Sequence, residues 1–140
     1  MSRSSNAPRK RSPEEIALLQ EPVLSDLQRV HFLDGIAKFN SGAYWEAHEA
    51  WEHTWQAMTD DAEIFIRGLV QLAAALHCLQ TNRRDCADRN FAKAYPKLRV
   101  APNQFMGIDV AALRAFIEAY QAKPNPDMRC QIRFVSSSTS

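Results

Sequence analysis

Hydrophobic side chains recur along this chain with the spacing of amphipathic helices. Between residues 25 and 123 they return every three or four positions in five successive segments, and turn residues separate the segments. Residues 39–47 and 79–87 resemble each other, since both place a turn residue before a small residue one helical turn later, as tetratricopeptide hairpins do. The pattern predicts an all-α fold: a compact bundle of two tetratricopeptide-like helical hairpins plus a closing helix, with about five main helices.

Capping signals set the bounds of the first two helices. Ser25 followed by Gln28 is typical of a capping box, so the first helix should begin there. It should end at Asn40-Ser41-Gly42, because glycine readily adopts the left-handed conformation that closes a helix. The apolar positions of this helix are Leu27, Val30, Ile36 and Phe39. The second helix follows at once, which predicts a hairpin.

The third helix is expected to be the central one. Residues 62–81 are apolar nearly all round, as in a helix that neighbours cover on several sides. Asn82 suits the left-handed turn after it, and Asp85 is a candidate cap for a fourth helix. Because Pro96 lies inside the fourth helical pattern, we expect that helix to kink or end near Tyr95.

A closing helix is predicted after a loop at residues 101–107. Asp109 is its candidate N-cap, and Pro124 marks its end. The side chains expected to face inward are Val110, Leu113, Phe116, Ile117 and Tyr120. This helix would cover the two hairpins.

The predicted helical domain spans residues 25–123 and has a tail on either side. Residues 1–24 should form a disordered basic tail with a short helix, which Ser12-Pro13 opens and which must stop before Pro22. Residues 124–140 are the expected C-terminal tail. The chain therefore reads as one domain, in agreement with its length of 140 residues.

Charge is distributed unevenly, although the formal net charge is only +1. Residues 21–66 hold nine acidic side chains against two basic ones, whereas residues 67–107 hold seven basic against two acidic. Halves of opposite sign attract each other within one fold or between two copies. A homodimer through acidic and basic faces is therefore one possibility; complementarity within the chain is the other.

Several classes of protein are disfavoured. The N-terminus lacks the apolar segment of a secretory signal, and the most apolar run, residues 64–79, is too short to span a membrane. Cys78, Cys86 and Cys130 are an odd number without CxxC spacing, which favours reduced thiols in a cytoplasmic protein. The chain has a basic run, Arg9-Lys10-Arg11, and a basic line at Arg89, Lys93 and Lys97, but neither interleaved aromatic residues nor a net basic domain, so nucleic-acid binding is not expected.

The stretch from Tyr44 to Trp55 concentrates the residues that carry chemistry. It contains all three tryptophans, two of the four histidines and three glutamates. Helical spacing gathers one set of side chains on the inner side: Tyr44, Ala47, Trp51, Trp55 and Met58. The opposite, solvated side should carry Glu46, Glu49, Ala50 and His53. His48 and Glu52 lie one turn apart at the margin of the inner side, where they are costly to desolvate unless they pair or bind a ligand.

The same stretch resembles the signature of a known family. The motif is Phe39-Asn40-x-Gly42-x-Tyr44-x-Glu46-Ala47-His48-Glu49-x-Trp51-Glu52-x-x-Trp55, and it continues in Gly68-Leu69-Val70-Gln71-Leu72-Ala73-Ala74-Ala75-Leu76-His77 and Gly107-Ile108-Asp109-Val110. Over roughly residues 30–120 the chain is similar to the domain of unknown function 309 family. The resemblance implies an all-α domain and, from labels given by similarity, a predicted metal-dependent hydrolase. Two features depart from the family pattern, the run Arg83-Arg84-Asp85-Cys86 and the position of Pro96.

One functional hypothesis is a metal-dependent hydrolase. Its ligands would be His48 and Glu52 from the second helix and His77 from the third, because bundle metal sites draw side chains from facing helices. The ion would be Zn, Mn or Fe, with an open position for water, and Glu49 would act as the catalytic general base.

The other hypothesis is a non-enzymatic binding or scaffold module, with no certain cofactor and an unknown partner. Here His48 and Glu52 pair with each other and with Arg67 or Gln71 in a polar cluster at the core margin. His77 would be a core histidine that bonds a backbone carbonyl. The candidate binding residues of this cluster are Trp45, His48, Glu52, Trp55, Arg67 and Gln71.

Overall fold

The structure is a computed structural model that describes residues 18–56 and 58–135. In order, its helices are α1 (Asp26–Asn40), α2 (Tyr44–Gln56), α3 (Glu63–Gln80), α4 (Arg84–Arg99) and α5 (Val110–Ala122). A two-stranded antiparallel sheet, β1 (Gln104–Phe105) and β2 (Ile108–Asp109), lies between α4 and α5. The all-α prediction is confirmed. The start of the predicted short helix at Ser12 lies outside the described residues.

Helix α1 forms the outer edge of the bundle. Its capping box is present as predicted: Gln28 N donates to Ser25 Oγ at 3.1 Å, and Ser25 N donates to Gln28 Oε1 at 2.8 Å. Ile36 and Phe39 are buried, but Leu27 is 66% and Val30 60% exposed. Helix α1 packs chiefly against α2, so only one side of it is covered.

A close approach joins α1 to α2. A Cβ atom on Gly35 would lie 2.3 Å from Trp51 Nε1, so a glycine is needed where the indole crosses α1. Trp51 is fully buried, and its Nε1 donates a hydrogen bond to the Phe32 carbonyl oxygen at 3.1 Å. The contact fixes the depth at which α2 sits in the core.

Helix α3 is central, as its sequence predicts, because α2 packs on one side of it and α4 on another. Asn82 ends the second hairpin turn with φ of 60°, the predicted left-handed conformation. The N-cap position of α4 is Arg83, so the predicted cap at Asp85 is wrong, and Asp85 lies instead in the first helical turn.

Pro96 does not end α4, which continues to Arg99. The proline lies within the last turn and removes one helical hydrogen bond, because its nitrogen carries no hydrogen. Beyond it Leu98 is fully buried, and a Cβ on Gly68 would be 3.0 Å from Leu98 Cδ2. Close packing of α4 on α3 therefore holds the last turn in place.

The predicted loop at residues 101–107 contains strand β1, and its turn uses Met106 and Gly107 with φ of 51° and 80°. Residues from the predicted C-terminal tail pack onto this hairpin, since Val135 N donates to the Gly107 carbonyl oxygen at 2.9 Å. Ile132 is buried and its N–H donates to Asn40 Oδ1 at 2.7 Å. This segment thus contributes to the core.

The cysteines differ from the sequence-based prediction. Cys78 at the end of α3 and Cys86 at the start of α4 form a disulfide, with their Cα atoms 5.8 Å apart. The prediction of reduced thiols is wrong for this pair, because the hairpin turn brings together residues that a spacing rule would not join. Cys130 is free and buried.

Membrane insertion finds no support among the helices just described. None of the helices in residues 18–56 and 58–135 has the length and apolar character needed to cross a bilayer.

Candidate functional site

Helix α2 has one face in the core and one at the surface. Tyr44, Ala47 and Trp51 are buried, whereas Glu46, Glu49 and His53 are exposed. Ala50, which was predicted on the solvated side, is buried because α1 covers that part of the helix. The predicted helical phase is otherwise confirmed.

The candidate site is a strip of surface along the α2–α3 contact, which we call the Trp45 face. Since α2 and α3 run antiparallel, Trp45 meets the end of α3 at His77, and Trp55 meets its beginning at Arg67. The residues that define the Trp45 face are Trp45, His48, Glu52, Trp55, Arg67, Gln71 and His77.

Three rings form one end of this face. The Trp45 indole stacks on the His48 imidazole with centroids 4.6 Å apart and planes 9° from parallel. His77 lies against the same indole at 5.4 Å, tilted by 43°. Trp45 nevertheless remains 45% exposed, and with Glu46, His77 and Arg83 it lines an open depression of about 540 Å³.

The predicted pairing of His48 with Glu52 is present, with His48 Nε2 and Glu52 Oε2 3.8 Å apart. Two further members of the predicted polar cluster also meet, since the guanidinium carbon of Arg67 lies 5.5 Å from the Trp55 ring centroid. Arg67 in addition pairs with the buried Glu63, at 3.9 Å from Nη1 to Oε2, a partner that the sequence does not predict.

Three polar atoms of the Trp45 face are buried and lack a hydrogen-bond partner among the described residues. They are His48 Nδ1, Trp55 Nε1 and Gln71 Oε1. Each unsatisfied buried atom costs about 1–3 kcal/mol of folding free energy. The face therefore retains unused hydrogen-bonding capacity beside an exposed indole.

His48, Glu52 and His77, the predicted metal ligands, all lie on the Trp45 face, with His77 against the Trp45 ring. A metal centre that uses them stays a prediction. Among residues 18–56 and 58–135 no group of three or more His, Cys, Asp or Glu side chains is placed to hold a metal ion. Glu49, the predicted general base, is exposed on the outer side of α2.

A second group of residues was not singled out as a site from the sequence. Cys86 shares an open depression of about 470 Å³ with Arg83, Arg84, Asp85 and Arg89. Its only signal in the sequence is the run of residues 83–86, which departs from the family pattern. Spacing alone gave no reason to connect Cys86 to Cys78.

Two antiparallel helical hairpins, a closing helix and an aromatic, histidine-bearing surface define a small helical-hairpin protein. The family model described as domain of unknown function (DUF309) matches residues 32–90. This match confirms the family resemblance inferred from the Phe39–Trp55 motif, and it covers most of α1, all of α2 and α3, and the first half of α4. A comparison with curated proteins found no match.

Proposed function

We propose that this chain is a non-enzymatic binding module whose Trp45 face receives an arginine-bearing, basic segment of a partner protein. The observation that carries the proposal is the Trp45 indole, which is 45% exposed although it stacks on His48 and lines an open depression. A partner that covers this end of the face would bury the indole.

Charge indicates the chemistry of that partner. Glu46 and Glu49 are exposed next to Trp45, and the Glu52 side chain is 40% exposed one turn further on. Glu46 lines the depression with Trp45, and Glu49 and Glu52 follow it along α2, so the carboxylates of this helix favour a cationic partner. Arginine suits such a site because it can stack on indole while it pairs with a carboxylate.

The opposite end of the same face already has this arrangement within the chain. Arg67 lies over the Trp55 ring and pairs with Glu63. At Trp45 the carboxylates and the exposed ring are present, but among the described residues no arginine or lysine lies over the indole. A partner arginine at Trp45 would reproduce the Arg67–Trp55 contact.

The test uses the full chain and fluorescently labelled peptides of about twelve residues, rich in arginine, lysine or glutamate, with binding followed by anisotropy. Arginine-rich peptides should bind with micromolar Kd, more tightly than lysine-rich ones, and glutamate-rich peptides should not bind. Trp45→Ala should weaken binding about tenfold. Phe134→Ala is the matched control, because Phe134 is also an exposed aromatic residue but lies on the C-terminal segment.

Equal binding of all three peptides, or an unchanged Kd in Trp45→Ala, would contradict the proposal. So would much tighter binding after replacement of Arg9, Lys10 and Arg11 by alanine, since the chain's own basic segment would then be the occupant.

The hydrolase hypothesis gives a different result in elemental analysis of protein purified without a metal-affinity tag. Stoichiometric Zn, Mn or Fe that is lost in His48→Ala would favour a metal centre and contradict the binding-module proposal. For a binding module, we expect no stoichiometric metal before or after the substitution.

A further inference from the structure

The Cys78–Cys86 disulfide has one buried and one accessible end. It joins the end of α3 to the first turn of α4 across the second hairpin turn. Cys78 is only 2% exposed, whereas Cys86 is half-buried and lines the open depression described above. Cys86 is therefore the end of the disulfide that solvent approaches more closely.

The surroundings of Cys86 are cationic. Three arginines, Arg83, Arg84 and Arg89, line the depression with it against one acid, Asp85. Asn90 Nδ2 lies 3.6 Å from Cys86 Sγ and is placed to donate a weak hydrogen bond to the sulfur. Positive charge and hydrogen-bond donors stabilise a thiolate and attract anionic reagents.

We propose that Cys86 is a site of thiol–disulfide exchange that reacts selectively with small anionic thiols. The attacking thiolate forms a bond to Cys86 Sγ as the bond to Cys78 breaks. Cys78 leaves as a thiolate and takes a proton from water, so a mixed disulfide remains on Cys86.

A second small thiol completes the reduction. It attacks the mixed disulfide, the small disulfide departs, and Cys86 is released as a thiolate that is then protonated. Two electrons pass from two small thiols to the Cys78–Cys86 bond, and the same steps in reverse restore it in the presence of a small disulfide.

Cys130 supplies an internal control. It is 3% exposed, and burial raises its pKa to about 12. A buried thiol that stays protonated is a poor nucleophile and a poor target. In the native chain it should remain unmodified while Cys86 reacts.

The experiment treats the full chain, isolated without reductant, with glutathione as the anionic thiol and cysteamine as the cationic one. The reaction is quenched with acid and the modified peptides are identified by mass spectrometry. We expect the mixed disulfide on Cys86. After correction for the thiolate fraction of each reagent, glutathione should react about threefold or more faster than cysteamine at low ionic strength, and salt should reduce the difference.

Two charge variants test whether the arginines around Cys86 cause the preference for an anionic thiol. Arg89→Ala should lower the preference for glutathione, whereas Lys93→Ala, one turn further along α4 and outside the depression, should leave it unchanged. Both variants retain the two cysteines of the disulfide. The position of the mixed disulfide is determined on the wild-type chain, so no cysteine variant, which could fail to fold, is needed.

Three outcomes would overturn the proposal. The first is a mixed disulfide on Cys78 or Cys130 rather than Cys86. The second is equal rates for the two reagents at low salt. The third is recovery of three free thiols from chain isolated without reductant.

Discussion

Trp45 and Trp51 lie six positions apart on α2 and have opposite surroundings. Trp51 is fully buried against Gly35, and its indole N–H is satisfied by the Phe32 carbonyl oxygen. Trp45 stacks on His48 and keeps nearly half of its surface in solvent. Trp51 therefore stabilises the α1–α2 hairpin, whereas much of the Trp45 indole remains at the surface.

At the residue scale, the Cys130 thiol should lower the free energy of unfolding at alkaline pH. Burial raises its pKa from 9.0 to about 12 in the folded chain. A raised folded pKa gives a contribution to stability that is fully present below pH 9 and is lost as the pH rises towards 12, because the unfolded thiol ionises first. Within that window the free energy of unfolding should fall by about 1.4 kcal/mol per pH unit from this group alone.

Urea unfolding of the oxidised chain at a series of pH values measures this dependence. Cys130→Ala is the control, since it removes the thiol while the other groups continue to titrate. Its stability should fall less steeply than that of the wild type above pH 9, the ordinary value for the thiol. Parallel curves for the two proteins would show that Cys130 does not contribute.

At the scale of elements, α4 is held at both ends by contacts beyond its own hydrogen bonds. The disulfide ties its first turn to α3, and Tyr120 of α5 donates a hydrogen bond to Asp88 Oδ1 at 2.9 Å. Leu98 packs into the core next to Gly68 at the other end. Tertiary packing thus keeps α4 helical beyond Pro96, although local sequence preference would end the helix there.

Because tertiary contacts keep α4 helical in spite of Pro96, we expect Pro96→Ala to stabilise the protein. Alanine restores a helical N–H and removes the clash of the proline ring with the preceding turn, so the free energy of unfolding should rise by about 1–3 kcal/mol. Thermal and urea unfolding would measure the gain. Pro102→Ala is the matched control, because residue 102 lies outside any helix and its replacement should be neutral or slightly destabilising. A loss of stability in Pro96→Ala would contradict this account of α4.

At the scale of the whole molecule, the exposed aliphatic side chains lie on a different helix from the acidic side chains around Trp45 and from the exposed arginines. The acidic side chains around Trp45 are on α2, and the exposed arginines are at the start of α4. Leu27, Val30 and Leu33 are exposed on α1, which is the edge of the bundle. Two copies of the chain would therefore use α2 and α4 if they associated through charge, and α1 if they associated through apolar contacts.

A homodimer through the acidic and basic faces remains a prediction, and ionic strength tests it. Sedimentation velocity at about 20 mM and about 500 mM salt should show dimers that weaken by roughly tenfold or more at high salt, because screening shortens the range of attraction between exposed charges. Leu27→Gln should leave such a dimer unchanged. A monomer in both buffers would contradict it, and so would a dimer that salt does not weaken but Leu27→Gln abolishes.

The sequence by itself determined the elements of this protein and most of their bounds. The capping box at Ser25, the glycine at position 42 and the cap at Asp109 act within one or two turns of the chain, so local sequence is sufficient to predict them. The helical phase of α2 likewise placed Trp51 in the core and His48 one turn from Glu52.

Only the tertiary structure decided which side chains meet. Periodicity cannot show that α1 lies at an edge and leaves Leu27 exposed, that Arg67 pairs with the buried Glu63, or that Cys78 reaches Cys86. The physical reason is that the environment of a side chain at the margin of a helix depends on the neighbouring helix. For that reason the sequence located the Trp45 face, whereas its pairing, exposure and unsatisfied atoms depended on how α2 and α3 pack.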